Sequence, residues 1–349
     1  MRASASGRVN LIGEHTDYNG GFVLPVATPQ RTYVELTPAE GSEVHAWSDQ
    51  EGQAPRFVIG EEQPAGHWTD YVAGMTVALG EMGHSLGGFE LRVRSDVPVG
   101  AGLASSAALE VALGRALREA FDLDLSDLQI AAAGRRAEND FVGVRSGAMD
   151  QLAAALAATG EALLIDCRSL VRMPVPVPRA CELVVIDSGR RHSLSAGDYN
   201  LRREECEQAA ELLGVDLLCD VHPRDERIAG LPAPLDRRAR HVTGENWRVA
   251  AAAGAMWRDG AAALGRLLDE SHESQRDLFE VSTPEIDRLA GLLREQGALG
   301  ARLTGGGFGG SVLALAPAGR GLEIGTATVE RYISEYPGLA ARVLIPPGV

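Results

Sequence analysis

Lysine is absent from this chain of 349 residues, so all 33 of its basic side chains are arginines. This absence excludes a P-loop nucleotide site, an active site of the protein-kinase type and any mechanism through a Schiff base, because each of them needs a lysine. If the protein binds phosphate, it must do so with backbone amides, a helix N-terminus, a metal ion or arginine.

Cysteine is scarce as well, and long apolar runs are missing. The four cysteines form no C-x-x-C pair, and no histidine stands beside them at the spacing of zinc ligands. We therefore expect reduced thiols, and the lack of a signal-like or membrane-spanning run leads us to expect a cytoplasmic protein. The net charge of −15 and the pI near 5.0 argue against nucleic-acid and anionic membrane partners.

The densest polar cluster lies near the start, where residues 7–21 read GRVNLIGEHTDYNGG. Val9 and Leu11 alternate with polar residues, which predicts a short strand that enters a loop. Five polar side chains then follow within six positions: Glu14, His15, Asp17, Tyr18 and Asn19. Such a set suits a polyhydroxylated small molecule, because each hydroxyl group both donates and accepts hydrogen bonds. An ordinary polar turn is the alternative.

A second motif, PVGAGLASSAA at residues 98–108, follows a predicted strand. Apolar and polar side chains alternate in that strand, residues 89–97, and Ser105 opens a helix after the motif. Gly100 and Gly102 permit a close approach of the backbone to a ligand. A strand, a glycine-rich turn and a helix N-terminus together predict an anion site, although simple capping by Ser105 explains the same residues.

Two acids and a glycine run complete the candidates. Glu138 lies near the end of a predicted helix over residues 126–140 that Ser126 caps, and Asp150 falls in the first turn of an Ala/Leu-rich helix. The helix field there favours a carboxylate, but capping or surface charge is the plain alternative for each acid. Residues 303–311, LTGGGFGGS, carry five glycines in six positions, which is typical of backbone that faces a ligand or of a glycine-rich hairpin.

The remaining patterns predict a mixed α/β chain. Apolar periodicity indicates helices over residues 68–82, 200–213, 245–257 and 260–280, and Pro284 after Thr283 marks a further helix start. The Pro-rich segment at residues 172–180, RMPVPVPRA, is expected to be irregular.

Residues 7–21 closely resemble the signature of galactokinases, in the GHMP family of small-molecule kinases. Residues 98–108 and 304–310 resemble the second and third motifs of that family, and weaker similarity covers nearly the whole chain. The resemblance implies an α+β fold with two domains. Residues 1–170 would form an N-terminal, ribosomal-protein-like domain with a left-handed βαβ unit. Residues 171–349 would form a ferredoxin-like C-terminal domain, with the active site in the cleft between them.

The resemblance also implies catalytic roles. In the pattern G-V-x-x-G-x-M-D-Q, Asp150 would take the proton from the anomeric hydroxyl of the sugar, with Arg8 beside it. Glu138, twelve residues earlier, and Ser106 would bind Mg²⁺, with Ser105 as the neighbouring possibility for the serine ligand.

Binding roles follow in the same way. Trp68 would lie near the adenine of ATP, although it equally suits an aromatic that holds a helix end. The phosphates would contact Gly100, Ala101, Gly102, Leu103, Ala104, Ser105 and Ser106. The sugar would contact Glu14, His15, Thr16, Asp17, Gly147 and Tyr199. Two positions depart from the family pattern: Ser146 stands where cysteine is common, and Gln275 stands where an apolar residue is usual.

These assignments imply an ATP-dependent sugar kinase that converts D-galactose to galactose 1-phosphate and ADP by direct in-line transfer with Mg²⁺. Its partners would be ATP and D-galactose, and it would be a monomer or a weak homodimer. A kinase for N-acetylgalactosamine or arabinose is one alternative. A catalytically silent sensor of galactose and ATP is another, against which the intact Arg8, Ser106, Glu138 and Asp150 argue. A dinucleotide-binding oxidoreductase is excluded, because the G-x-G-x-x-G at residues 305–310 leads into a predicted strand at residues 312–315 and does not open a helix.

Overall fold

The computed structural model describes residues 1–190 and 196–345. The chain forms two compact units, each assembled from separate stretches of sequence. The first unit contains Met1–Arg8, Ala27–Val99 and Leu103–Ala157, and the second contains Val9–Val26, Gly100–Gly102 and Ala158–Val349. No helix within the described ranges has the length and apolar character needed to span a membrane.

The elements of the described residues run in the following order along the chain. The strands are β1 (Arg2–Asn10), β2 (Phe22–Val23), β3 (Pro25–Pro38), β4 (Glu43–Ser48), β5 (Gly52–Gln53), β6 (Phe57–Val58), β7 (Phe89–Ser95), β8 (Glu161–Asp166), β9 (Arg172–Pro176), β10 (Cys181–Asp187), β11 (Gly300–Thr304), β12 (Ser311–Pro317) and β13 (Arg342–Ile345). The α-helices are α1 (Asp70–Glu81), α2 (Ser105–Ala120), α3 (Asp127–Arg136), α4 (Met149–Leu156), α5 (Ala196–Leu213), α6 (Leu235–Trp257), α7 (Ala261–Ser274), α8 (Pro284–Glu295) and α9 (Gly321–Glu335). Two π-helical segments, Ala137–Val142 and Gln275–Phe279, continue α3 and α7.

The first unit is built on a sheet with the strand order β3-β7-β4-β5, to which β1 adds on β3 and β6 on β4. Strands β4 and β7 pair in parallel and are connected through α1, which makes a βαβ unit. The alternation predicted for β7 is confirmed: Phe89, Leu91 and Val93 are buried, and the charged residues between them are exposed.

Helix α3 of the first unit begins at its predicted cap. The Ser126 side chain accepts from the backbone amide of Gln129, and Gln129 Oε1 accepts from Ser126 N at 2.9 Å. This reciprocal capping box fixes the start of the helix whose continuation carries Glu138. The helix proper ends at Arg136, four residues before the predicted end, and the π-helical segment follows it.

The second unit contains an antiparallel sheet with the strand order β11-β12-β10-β13. Helix α8 precedes β11 and helix α9 connects β12 to β13, so the sequence of elements and the strand order are those of a ferredoxin-like domain. Fully buried side chains such as Val184, Leu303 and Val312 form the core of this unit. Helix α8 starts as predicted, with the Thr283 side chain accepting from Ile286 N and Pro284 in the first turn.

The expectation that residues 172–180 are irregular is wrong for the first half of the segment. Arg172–Pro176 forms β9, which pairs antiparallel with β8 and places Pro174 opposite Leu163. Proline lacks a donor but keeps its acceptor, and a strand at the edge of a sheet tolerates the missing N–H when it faces outward. Composition therefore underestimated this strand.

Helix α6 begins at Leu235, ten residues before its predicted start at Glu245. The added turns carry Arg238 and His241, which are polar and almost fully buried. Because these side chains lie on the inner face of the helix, the apolar periodicity that predicts a helix is interrupted there.

Candidate active site

An arginine–carboxylate pair lies at the start of α4. Asp150 is in the first turn of this helix, as predicted. Arg8 Nε donates to Asp150 Oδ1 at 2.8 Å, and Arg8 Nη2 donates to Oδ2 at 2.6 Å. The side chain of Arg8 is only 5% exposed, whereas that of Asp150 is 23% exposed. The bidentate pair fixes the carboxylate plane, and each oxygen keeps a lone pair for a further donor.

Glu138 accepts three hydrogen bonds in the π-helical segment after α3. Ser106 Oγ donates to Glu138 Oε1 at 3.0 Å, while Ser146 Oγ and Gln151 Nε2 donate to Oε2 at 2.7 and 2.9 Å. The structure thus brings together the two residues that the sequence nominated as metal ligands. The serine that stands where cysteine is common in the family bonds directly to one of them.

Sequence reasoning missed Glu110 and Gln151, which complete this cluster. Both are fully buried, and Gln151 Nε2 lies 2.9 Å from Glu110 Oε2 as well as from Glu138 Oε2. Burial raises the pKa of Glu110 well above its usual range, and the charge of Glu138 raises it further. Burial, followed by the charge of Asp150, also raises the pKa of Glu138. A single acid inside the apolar run at residues 107–114 was the available sequence signal for Glu110.

We expect Glu110→Gln to become more stable relative to the native protein as the pH rises. A carboxyl whose pKa is raised by folding contributes stability that is present below its unfolded pKa, near 4.5, and is lost as the pH rises through the folded value. The neutral amide removes this loss, so the difference in unfolding free energy grows by up to about 1.4 kcal/mol per pH unit. Urea denaturation of both proteins at pH 5 and pH 8 measures it.

The matched control for that comparison is Glu119→Gln, an acid on the exposed face of the same helix. Its effect on stability should stay constant between the two pH values. A Glu110→Gln effect that is equally constant would mean that Glu110 is ionised in the folded protein throughout this range.

The surroundings of Ser106 and Glu138 fit a magnesium ion. Mg²⁺ prefers oxygen ligands and is usually held by one or two carboxylates together with substrate phosphates, rather than by a complete protein cage. Accordingly, no cluster of three or more His, Cys, Asp or Glu side chains in the described residues makes a complete cation site. The carboxylate of Glu138 is buried near the negative charge of Asp150, and a bound cation would relieve that repulsion.

The start of α2 is open to an anion. The helix begins at Ser105, and the residue before it, Ala104, has a left-handed backbone with φ 56°. Because the capping position is an alanine, no side chain from it occupies the free amides of the first turn. The alternative explanation, that Ser105 is the cap, is therefore not what the structure has. Leu103 O accepts from Arg8 N at 3.1 Å, which links this segment to the arginine that is paired with Asp150.

The glycine turn of the second motif, residues 100–102, lies against the third motif within the second unit. Gly100 and Gly102 both have positive φ, and a Cβ added to Gly102 would stand 3.2 Å from Thr304 O. Ser311 Oγ donates to Ala101 O at 2.6 Å. The two glycine-rich segments therefore support each other through close backbone contact, which larger residues would prevent.

Trp68 lies just before α1 and is half-buried. Its indole Nε1 is buried and has no hydrogen-bond partner in the described part of the chain. A buried indole N–H normally finds an acceptor, so this donor is consistent with a ligand nearby.

The loop at residues 13–22, here called the signature loop, is closed around the buried Glu14. Glu14 Oε2 accepts from Arg302 Nη2 and from Asn10 Nδ2, the latter at 2.8 Å. Its Oε1 accepts from Gly305 N at 2.9 Å and from Thr304 Oγ1 at 3.3 Å. Burial raises the pKa of Glu14, and the charge of Arg302 opposes that rise. The carboxylate ties the first motif to the third, and its contact with a sugar stays a prediction.

Gln275, the other departure from the family pattern, has a structural role beside this network. With its amide oxygen facing Arg302, it accepts from Arg302 Nη2 at 2.8 Å and from Nε at 3.2 Å. Arg302 is fully buried, so a polar side chain at position 275 gives an otherwise costly group a further acceptor.

Two of the predicted sugar contacts, His15 and Tyr199, lie together in the second unit. Their ring centroids are 5.5 Å apart, and the ring centroid of Phe279 lies 4.4 Å from that of His15. Tyr18 Oη lies 2.9 Å from His15 Nδ1. Burial lowers the pKa of His15 to about 3, so the imidazole is neutral. The sequence did not nominate Phe279.

The other predicted sugar contacts have different surroundings. Thr16 Oγ1 lies 2.8 Å from Gly13 O and 2.7 Å from Phe22 O, where it closes the signature loop. Asp17 is half-buried in a 3₁₀ turn of the same loop. Gly147 is buried shortly before α4 in the first unit.

Comparison with known proteins agrees with this geometry. Three family models match the chain: the galactokinase galactose-binding signature at residues 1–38, the GHMP kinase N-terminal domain at residues 70–158 and the GHMP kinase C-terminal domain at residues 255–330. The first model covers the signature loop, and the second covers the second motif and Asp150. The third covers the end of α6, helices α7 and α8, and the third motif.

Solved structures show the same relationship. Lactococcus lactis galactokinase complexed with galactose is 32% identical, covers 98% of this chain and 92% of its own, and has a TM-score of 0.91. Methanococcus jannaschii mevalonate kinase, at 17% identity and a TM-score of 0.68, covers 98% and 96%, and Streptococcus pneumoniae phosphomevalonate kinase, at 14% and 0.67, covers 98% and 99%. These two share the fold, which confirms the predicted two-domain α+β architecture. The chain belongs to the GHMP kinase family and, within it, to the galactokinases.

Proposed function

We propose that this sugar kinase transfers the γ-phosphoryl group of ATP to the anomeric hydroxyl of D-galactose, which yields galactose 1-phosphate and ADP. The observation that carries the proposal is the bidentate Arg8–Asp150 pair, whose oxygens lie 2.8 and 2.6 Å from the guanidinium nitrogens. A sensor that only binds sugar and nucleotide has no need of an oriented carboxylate base, so an intact pair favours catalysis.

Asp150 accepts the proton of the sugar hydroxyl as that oxygen attacks the γ-phosphorus. A hydroxyl is a weak nucleophile until its proton has an acceptor within hydrogen-bond reach. Arg8 holds the carboxylate in one orientation and places a permanent positive charge beside the transferring group. The displacement is direct and in line, so no phosphoenzyme forms.

Ser106 and Glu138 would hold Mg²⁺ through a hydroxyl and a carboxylate oxygen, and their mutual hydrogen bond at 3.0 Å favours Ser106 over Ser105. When bound, the ion would neutralise charge on the phosphates of ATP. The open amides at the start of α2 and the glycine turn at Gly100 and Gly102 contact those phosphates, in a chain that has no lysine for the purpose. Trp68 contacts the adenine.

The sugar contacts come from His15, Asp17, Gly147 and Tyr199. Glu14 and Thr16 support them by fixing the signature loop through their own hydrogen bonds. With Nδ1 beside Tyr18 Oη, the Nε2 of the neutral His15 imidazole can donate to or accept from a hydroxyl group, depending on its tautomer. The enzyme works as a monomer or weak homodimer in the cytoplasm, where thiols stay reduced. Its net charge of −15 disfavours nucleic-acid and anionic membrane partners.

The test is a comparison of sugars in one assay. We expect release of ADP from MgATP with D-galactose, and at least about 100-fold lower kcat/KM with glucose, because a site built to bond one hydroxyl discriminates strongly against its epimer. N-acetylgalactosamine and arabinose test the related kinases. A higher kcat/KM with either of them would replace galactose as the substrate. Binding of galactose and ATP without any ADP release would establish the silent sensor instead.

A further inference from the structure

The two ends of the signature loop are held by adjacent residues of helix α6. Gly13 N donates to Glu245 Oε1 at 3.0 Å, and Phe22 N donates to Asn246 Oδ1 at 2.7 Å. The loop and the helix both belong to the second unit, although more than two hundred residues separate these partners. The two ends of the loop, Gly13 and Phe22, are therefore fixed by side chains of α6 and not only by the turns of the loop itself.

A third contact extends the same face of the helix. His241 Nε2 lies 3.2 Å from Glu14 O, and residues 241 and 245 are one helical turn apart. Helix α6 also leaves no space for a side chain at the two glycines near the ends of the loop, Gly13 and Gly21. A Cβ on Gly13, where φ is +105°, would stand 2.8 Å from Val249 Cγ2, and a Cβ on Gly21 would stand 2.8 Å from Asn246 Oδ1.

The surroundings of Glu245 favour its ionised form. Burial alone would raise its pKa, but the charges of Arg248 and Arg302 lower it to about 2. Arg248 Nε donates to Oε2 at 2.8 Å and Ser271 Oγ donates to Oε1 at 2.6 Å. An ionised acceptor makes a stronger bond to the amide of Gly13 than a neutral one would.

The loop that the helix holds carries backbone strain. His15 has φ 64°, in the left-handed region that a non-glycine residue adopts at a cost. Such a conformation persists when surrounding contacts fix the chain on both sides. The direction of the His15 side chain consequently depends on how firmly Gly13 and Phe22 are held.

We propose that Glu245 and Asn246 are positioning residues for the sugar: they act through the backbone of the signature loop, without touching the substrate themselves. This inference rests on the proposed function, because it assigns galactose to that loop. A purely structural role would weaken the binding of both substrates. By contrast, loss of the clamp, which we define as the hydrogen bonds from Gly13 N to Glu245 and from Phe22 N to Asn246, should weaken galactose binding and leave ATP binding unchanged.

The decisive variant is Asn246→Ala, which removes the acceptor for Phe22 N. We expect the KM for galactose to rise about 10-fold, as for the loss of one hydrogen bond to an amide in a packed loop, while the KM for ATP stays within about 2-fold. Asn246→Asp keeps an oxygen at the same place and should restore the galactose KM to within about 3-fold of native.

The matched control is Thr243→Ala on the same helix. Thr243 is buried and its hydroxyl donates to Ala239 O within α6, so the variant lowers stability without touching the loop. A native galactose KM in Asn246→Ala would overturn the proposal. So would a rise in the KM values for both galactose and ATP that Thr243→Ala shows as well, because lost stability would then explain it.

Hydrogen exchange makes the outcome independent of activity. The amide of Phe22, which loses its acceptor, should exchange at least about 10-fold faster in Asn246→Ala than in the native protein or in Thr243→Ala. Unchanged exchange would overturn the clamp itself. A native protein that phosphorylates no galactose would overturn the proposed function, and the exchange comparison would still decide whether the clamp exists.

Discussion

Asp150→Asn is expected to reduce kcat for galactose phosphorylation by about 10³-fold and to leave the affinities for galactose and ATP within about 3-fold of native. The amide oxygen of asparagine can still accept one of the two hydrogen bonds from Arg8, but its NH2 group cannot accept the other. The side chain cannot take up the proton of the attacking hydroxyl. Steady-state ADP release gives kcat, and calorimetric titration with each ligand separates binding from chemistry.

Asp140→Asn is the control for that experiment. Asp140 lies in the π-helical segment next to Glu138, and its side chain is 72% exposed, so the same change of chemistry should leave kcat unaltered. Asp150→Asn also leaves the buried Arg8 without its anion, and a lower Tm is expected for that reason. Retention of more than about a tenth of the native kcat would show that another group takes the proton.

Long motifs with rigid spacing led sequence reasoning to place Arg8 beside Asp150, and the two side chains form a bidentate pair in the structure. The partnership of Arg8 with Asp150 bridges 142 positions, and no periodicity or composition could have found it. The resemblance of residues 7–21 and of the segment around Asp150 to family patterns supplied it. Local patterns were sufficient where a single element decides the outcome, as in the alternation of β7 and the caps at Ser126 and Thr283.

Three of the residues that sequence reasoning missed share a physical property: they are polar groups buried on apolar faces. Glu110, Gln151 and Glu245 are fully buried, and each acquires its role from a partner that only the tertiary structure brings near. In a sequence such residues merely weaken the pattern of the helix that carries them. The late predicted start of α6, at Glu245 instead of Leu235, is the same error seen in secondary structure.

Glu138→Gln is expected to separate metal binding from folding. The pKa of Glu138 is raised first by burial and then by the charge of Asp150, so the native carboxylate lowers stability when no cation is present. The neutral amide removes that cost, and the metal-free variant should have a Tm equal to or above the native one. The same change removes a negative oxygen ligand, and the Mg²⁺ concentration for half-maximal activity should rise at least about 100-fold.

Direct binding tests the metal without reference to turnover. Electron paramagnetic resonance of Mn²⁺ in the presence of a non-hydrolysable ATP analogue should show a matching loss of affinity in Glu138→Gln. Ser146→Ala is the control, because it removes the hydroxyl that donates to Glu138 Oε2 at 2.7 Å and keeps the carboxylate. It should lose at most about 10-fold. If Glu138→Gln bound Mn²⁺ as the native protein does, the carboxylate of Glu138 would belong only to its hydrogen-bond network with Ser106, Ser146 and Gln151, and the cation would be held elsewhere.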